Sequence, residues 1–317
     1  KELFKEKAVV MPYGLIEDPV PESVIVANFS EDVKLIKEGE ILAEVVEAQE
    51  VREERISEVI NYQINKMDSG NSIKLDVNPN LSVTERTKLV ELLNEFQDRF
   101  AWDKTEIGRT NVCEHVIELK EDRPVHQPPY RVSQAERDIL KEQVEDMLKR
   151  GVIRTSYSDY ASPVVLVRKK TGDWRFCVNY KRLNDLVVSD RHPLPLIEDI
   201  LTYLNGSQWF CTLDMNAGYW QIPIREEDKH KTAFITPDGL WEFEVMPFGL
   251  KTSPAVFQRC MDKVLAGLKW GNCLVYLDDV LVMAADFHEM LSRLKKVLER
   301  LRAASKTLNP SKCSFGY

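Results

Sequence analysis

Cys273–Ala285, CLVYLDDVLVMAA, is the stretch whose reading decides the fold. Two apolar runs flank an adjacent acid pair, Asp278 and Asp279. Val275, Tyr276, Val280 and Val282 favour extended backbone, so each run reads as a strand. The acids fall where the chain turns back, which makes the unit a β-hairpin with a carboxylate tip. Neighbouring carboxylates repel, so a tight turn that holds two of them is costly unless a cation lies between them. A solvated turn that happens to contain two Asp is the plainer alternative. The surrounding stretches decide between the two.

WFCTLDM (209–215) reads as a buried strand ending in Asp214. KTAFITPDGLWEFEVMP (231–247) is a hairpin turning at Pro237–Asp238–Gly239. Pro254 opens a helix whose apolar face is Val256, Phe257, Cys260, Met261, Val264, Leu265 and Leu268. After the acidic hairpin, Asp286 with Glu289 caps a last helix carrying Leu291, Leu294, Leu298 and Leu301. Strand, hairpin, helix, hairpin, helix suits an antiparallel sheet backed by helices on one face, an α+β arrangement. In such a sheet the end of strand 209–214 lies beside the acidic tip, and Asp214, Asp278 and Asp279 converge.

Further upstream, SPVVLVRKK (162–170) and WRFCVNY (174–180) are strands joined at Thr171–Gly172–Asp173, a hairpin able to reach over a ligand. PLPLIEDILTYLNG (193–206) is an extended entry and a short helix. Ser82 with Glu85, and Ser133 with Glu136, are capping boxes that start helices bearing Leu89, Leu92, Leu93 and Phe96, and Leu140, Val144 and Met147. Gly151 stops the second. Residues 1–45 hold short β-type runs such as SVIVANF, too few to bury a core of their own. Residues 46–80 read as an acidic linker.

Composition narrows the function classes. Hydrophobic content of 44% with 30% charged residues is that of a globular chain and excludes a disordered one. No apolar run approaches the ~18 residues of a membrane span, and the N-terminus carries no signal-peptide pattern. The six cysteines form no CxxC, so they read as free thiols, neither a disulfide framework nor a zinc site. The net charge of −8 resides in residues 1–60, and the remainder is neutral. Within that remainder, residues 154–182 are net +5. A basic strip near an acidic tip suits a polyanion handled with metal ions; an ordinary exposed face is the alternative.

Three carboxylates on two strands can hold two Mg²⁺ ions about 3.5–4 Å apart, one at a primer 3′-hydroxyl and one at a triphosphate. Phosphoryl transfer needs mainly positioning and charge neutralisation. Lys169, Lys170 and Arg175 on the 162–180 hairpin could meet the triphosphate from the opposite side. Tyr219, five residues after Asp214, could lie under the incoming sugar and leave no room for a 2′-hydroxyl. A core tyrosine is the alternative.

FCTLDMNAGYWQIPI, KTAFITPDGLWEFEVMPFGLKTSPAVFQRCMDKVL and VYLDDVLV together resemble reverse transcriptases, most closely the polymerase of gypsy-type LTR retrotransposons. The resemblance runs from about Trp102 to Tyr317. It implies right-hand polymerase fingers and palm over residues 81–317, preceded by the β-rich segment that follows a retrotransposon protease. Carried over by position, Asp214, Asp278 and Asp279 match the metal-binding triad, and Arg175 and Lys169 match triphosphate contacts. Tyr219 matches the steric gate and Phe248 a residue near the nucleotide. Lys170, Arg182 and Tyr276 are assigned to nucleic acid. Asn179–Tyr180–Lys181 stands where the family more often has Asp-Tyr-Arg.

The resemblance implies an RNA-directed DNA polymerase that adds dNTPs to a primer on an RNA or DNA template, with Mg²⁺ or, in its place, Mn²⁺. It also implies membership of a Gag-Pol polyprotein, no membrane, and a cytoplasmic location within virus-like particles followed by nuclear import. Thumb, connection and RNase H are not in the sequence. The chain is therefore expected to be a polyprotein fragment, and the alternative is a catalytically inactive nucleic-acid-binding remnant.

Overall fold

The computed structural model describes residues 75–103, 105–168 and 172–317, together with two short strands, Val9–Val10 (β1) and Ala27–Asn28 (β2). The chain divides into two units, Lys1–Glu53 and Glu54–Tyr317. In the first, β1 pairs antiparallel with β2. The rest of the expected β segment, the linker as far as residue 74, and the turn residues Lys169, Lys170 and Thr171 lie outside the described residues.

The second unit runs Asp76–Val77 (β3), Val83–Glu95 (α1), Gln134–Lys149 (α2), Ile153–Thr155 (β4), Ser162–Arg168 (β5), Trp174–Val178 (β6), Lys181–Leu186 (α3), Ile197–Tyr203 (α4) and Trp209–Asp214 (β7). It continues with Phe234–Thr236 (β8), Gly239–Phe243 (β9), Ser253–Val264 (α5), Cys273–Tyr276 (β10), Asp279–Ala284 (β11), Phe287–Ala303 (α6) and Ser314–Phe315 (β12). Helix starts follow the caps. Ser82 accepts from Glu85 N and Ser133 from Glu136 N, each glutamate reaching back to close its box. Asp286 accepts from Glu289 N. Such caps satisfy amide groups that a helix start leaves unpaired. Gly151, at φ +62, ends α2 in the left-handed conformation that a residue without a Cβ adopts at least cost.

The strands form two five-stranded sheets. One has the order β10-β11-β7-β12-β3, antiparallel except where β3 joins β12 in parallel. The other has the order β4-β9-β8-β5-β6, with β5 and β8 parallel. The strand expected at 162–170 spans Ser162–Arg168, and the one at 174–180 ends at Val178, two residues before Tyr180 caps α3. Each sheet has its own core. Leu93 from α1 and Phe96 at its C-cap, Phe257 and Met261 from α5, and Leu294, Leu298 and Leu301 from α6 pack with Cys211, Leu213, Val280 and Val282 of the first sheet. Leu140, Val144 and Met147 of α2 pack with Val164, Val178, Phe234 and Phe243 of the second.

A strap through residues 110–117 ties these parts together. Thr110 N donates to Gln221 O at 2.9 Å and His115 N to Pro223 O at 2.8 Å. His115 is fully buried, and its Nε2 lies 3.0 Å from the Thr252 hydroxyl at the start of α5. Burial pushes its pKa down to about 4 against the opposing pull of Asp228 and Asp190. An unfolded histidine titrates near 6.5, so between pH 6.5 and 4 the unfolded chain binds the extra proton. Stability contributed by neutral His115 is therefore present above pH 6.5 and is lost as pH falls through 4, on the order of 3 kcal/mol in all. Denaturant melts at pH 4–7 should show that slope, and His115→Gln should remove it.

Candidate active site

The β10–β11 hairpin closes with a two-residue turn. Tyr276 pairs with Asp279, leaving Leu277 and Asp278 at the bend. Asp279 is therefore the first residue of the returning strand, not part of the tip. It pairs in register with Asp214 at the end of β7. The Asp278 carbonyl accepts from Met215 N at 3.4 Å, which holds the bend against the residue after Asp214. The three acids expected to meet are thus joined by one strand register and one turn.

The bend is strained. Leu277 sits at φ +53, a left-handed conformation that costs a residue with a Cβ roughly 1–2 kcal/mol. Its N–H donates to Gln258 Oε1 at 3.0 Å. Gln258 is fully buried on α5 and also donates to Val275 O at 3.4 Å. An amide that would otherwise be left unpaired is thereby satisfied from below the sheet.

Electrostatics match the crowding. Burial raises the Asp278 carboxyl to about 6, reinforced by repulsion from Asp214 and Asp279 and opposed by Lys312 and Lys306. Its Oδ1 is buried with no hydrogen-bond donor. Burial likewise raises Asp214, whose Oδ2 lies 3.5 Å from Lys312 Nζ. Lys306 is fully buried and its Nζ has no hydrogen-bond partner. That ammonium stands 5.2 Å from the Phe257 ring, and burial pushes its pKa down. Lys312 thus makes one long ion pair with the carboxylate group, and Lys306 makes no hydrogen bond to it.

An acceptor set short of cations fits hard divalent ions. Among the described residues no three His, Cys, Asp or Glu side chains close into a ready-made metal cage. Magnesium does not need one, because it takes few carboxylates and fills its octahedron with water and phosphate oxygens.

Beside the acids, Ala217 at φ +49 leads into a tight turn over Gly218–Gln221. A Cβ at Gly218 would stand 2.7 Å from Asp278 Oδ1 and 3.1 Å from the Phe257 ring. Tyr219 lies in a column of rings, stacked on Phe248 at 4.8 Å and 26°, and tilted onto Phe257 at 5.4 Å. Burial and the nearby Asp278 charge push its hydroxyl pKa up to about 12. Phe248 is half exposed and forms the open side of that column.

The structure therefore gathers Asp214, Asp278, Asp279, Tyr219 and Phe248, with Tyr276 next to the bend. Arg175 is exposed on β6 and Arg182 is exposed on α3, both with the second sheet, and neither is a partner of the acids. Lys169 and Lys170 lie outside the described residues. Sequence reasoning missed Gln258, Lys306, Lys312 and Gly218. Gln258 had a signal, since it is polar within an apolar stretch of α5.

Residues 167–317 match the family model for reverse transcriptase (RNA-dependent DNA polymerase). The chain is 35% identical over 267 residues to the retrovirus-related Pol polyprotein from transposon 297 of Drosophila melanogaster, covering 83% of this chain and 25% of the relative. Against the Pol polyprotein from transposon 412 of the same fly it is 28% identical, over 98% of this chain and 26% of that one. The transposon Tf2-3 polyprotein of Schizosaccharomyces pombe is 34% identical over 74% of this chain and 18% of its own length. The chain thus spans about a quarter or less of these relatives. In fold it is similar to a foamy viral protease-reverse transcriptase solved with an RNA/DNA hybrid, with TM-score 0.70 and 22% identity over 85% of this chain and 35% of the other. The same viral protein with double-stranded DNA gives TM-score 0.68 over 82% of this chain and 52% of that one.

Gly218→Ala should destabilise the chain by about 1–3 kcal/mol, because the added Cβ would stand 2.7 Å from Asp278 Oδ1 and 3.1 Å from the Phe257 ring and force one of them to shift. Urea denaturation measures this, and an unchanged midpoint would mean that Asp278 is not held against this turn.

Proposed function

The chain belongs to the reverse transcriptases of retrovirus-like Pol polyproteins, and from that premise we propose that it is an RNA-directed DNA polymerase extending a primer 3′-hydroxyl with deoxynucleotides. The observation that carries the reading is the register of Asp214 with Asp279 beside the donorless carboxyl of Asp278. Those three residues would hold two divalent ions, magnesium with manganese as a substitute. When bound, the ions would favour the 3′-oxygen as a nucleophile and neutralise charge on the triphosphate and the leaving pyrophosphate.

The chain's own groups supply position and selection. Tyr219, fixed between Phe248 and Phe257, presents a wall where a 2′-hydroxyl would stand. Phe248 forms the exposed side of the nucleotide pocket. Arg175, with Lys169 and Lys170, takes the triphosphate; guanidinium forks suit phosphate oxygens. Arg182 and Tyr276 take the template–primer. The partners are a primed RNA or DNA template, dNTPs and the remainder of a Gag-Pol polyprotein. The proposed place of work is the cytoplasm, inside virus-like particles, followed by entry into the nucleus.

Primer extension on an RNA template with dNTP and Mg²⁺ is the test. Asp278→Asn should lower nucleotide addition at least about 10²–10³-fold while the fold is retained. Binding of primer–template with no extension by the unaltered chain would instead mark it as a non-catalytic nucleic-acid-binding module. Tyr219→Ala should narrow the preference for dNTP over rNTP by roughly 10–200-fold. Single-nucleotide competition measures that ratio, and an unchanged ratio would assign Tyr219 to the core alone.

A further inference from the structure

Gln258 makes three polar contacts that require opposite ends of its amide, two from its NH₂ group and one to its carbonyl. Oε1 accepts from Leu277 N at 3.0 Å, while Nε2 donates to Asp262 Oδ1 at 3.0 Å, one helical turn further along α5. A backbone N–H can only donate, and a carboxylate can only accept. Turning the amide over would set an NH₂ against the Leu277 N–H and a carbonyl against the carboxylate. Asp262 is the nearer of the two acceptors on that NH₂, at 3.0 Å against 3.4 Å for the Val275 carbonyl, and so contributes most to turning Oε1 toward the bend.

Asp262 is itself anchored. Lys269 Nζ lies 2.5 Å from Oδ1, and His192 Nε2 lies 3.1 Å from Oδ2. Burial opposes its ionisation, but hydrogen bonds from Lys269, Gln258 and His192 outweigh it and hold the carboxyl below the usual carboxylate range. Arg259 next to Gln258 pairs with Asp190 at 2.5 Å, and Asp190 accepts from His192 N at 2.9 Å, which ties the 190–192 segment to the same helix. The acceptor on Asp262 is fixed from both sides.

The consequence reaches the acids through the backbone. Leu277 holds φ +53 while its N–H is satisfied. Without an acceptor that half-buried donor loses its partner, and the chain can shed both strain and the unpaired group by leaving the left-handed region. Asp278 is the next residue and moves with it.

We propose that Asp262 is a positioning residue for nucleotide addition, acting through Gln258 to fix the Leu277–Asp278 bend. As a statement about the reaction it rests on the polymerase reading; as a statement about the bend it does not. It assigns a task to a side chain that touches neither substrate nor metal ligand.

The test is a double-variant cycle in the full chain, with amide exchange at Leu277 and steady-state nucleotide addition as readouts. Asp262→Asn can pair with either end of Gln258 and should speed Leu277 exchange about tenfold. Its kcat should fall about tenfold, with the KM for template–primer unchanged. Gln258→Met should do the same, and adding Asp262→Asn to it should change nothing more. Asp262→Glu keeps an acceptor-only group and should restore most of the protection at Leu277. Multiplying effects in the double variant, or Asp262→Glu as unprotected as Asp262→Asn, would overturn the proposal and leave Asp262 a packing residue. Exchange needs no substrate. A chain that shows the coupled loss of protection yet never extends a primer therefore sinks the polymerase reading alone.

Discussion

Like charges brought into register at one end of a sheet are the constraint on which the rest of the molecule turns. Asp214 and Asp279 face each other across β7 and β11, with Asp278 in the adjoining bend. In water such a group would spread apart. Here the apolar pairs behind it, Leu213 with Val280 and Cys211 with Val282, lock the strands. A slip by one residue would turn that whole row out of the core. Hydrophobic register therefore fixes the charge register, and burial, with mutual repulsion added to it, raises the pKa values of Asp278 and Asp214.

The neighbourhood neutralises the acids only in part with its own side chains. Lys312 stands 3.5 Å from Asp214, at the loose end of ion-pair distance. Lys306 is buried, yet its ammonium faces the Phe257 ring with no hydrogen-bond partner. Gly218 gives Asp278 the space that a methyl group would take. A tight internal salt bridge would have made the group self-sufficient and closed it to ions from outside. Partial compensation keeps the strands together and leaves the oxygens in need of a cation.

Much of this was legible in the residues. The caps at Ser82, Ser133 and Asp286 announce their helices because a side-chain oxygen there has few other uses. Short apolar runs rich in β-formers beside Asp214 and Asp278–Asp279 mark the strands, and the adjacent acids demand a reason. The division of labour within the acid pair was not legible. Whether Asp279 belongs to the bend or to the strand depends on register, which the two-residue turn at Leu277–Asp278 settles only in three dimensions. Nor could a linear pattern show that Gln258 reaches back under the bend, because its partners lie 19 residues ahead and 4 residues along its own helix. The cations that matter were also hidden. Lys306 and Lys312 look like ordinary solvated lysines, and only packing puts one under Phe257 and the other beside Asp214.

The position of β7 in its sheet sets an order of assembly during synthesis. Its two flanking strands are β11 and β12, the latter reaching back from Ser314–Phe315 to pair with Thr212 and Cys211. Both partners leave the ribosome well after β7, the second about a hundred residues later. The second sheet draws its last strand from Gly239–Phe243 and can close first. Until β12 arrives, the strand bearing Asp214 has an open edge, and closing so long a loop is slow. The nascent chain is at that stage most exposed to mispairing and most dependent on chaperones.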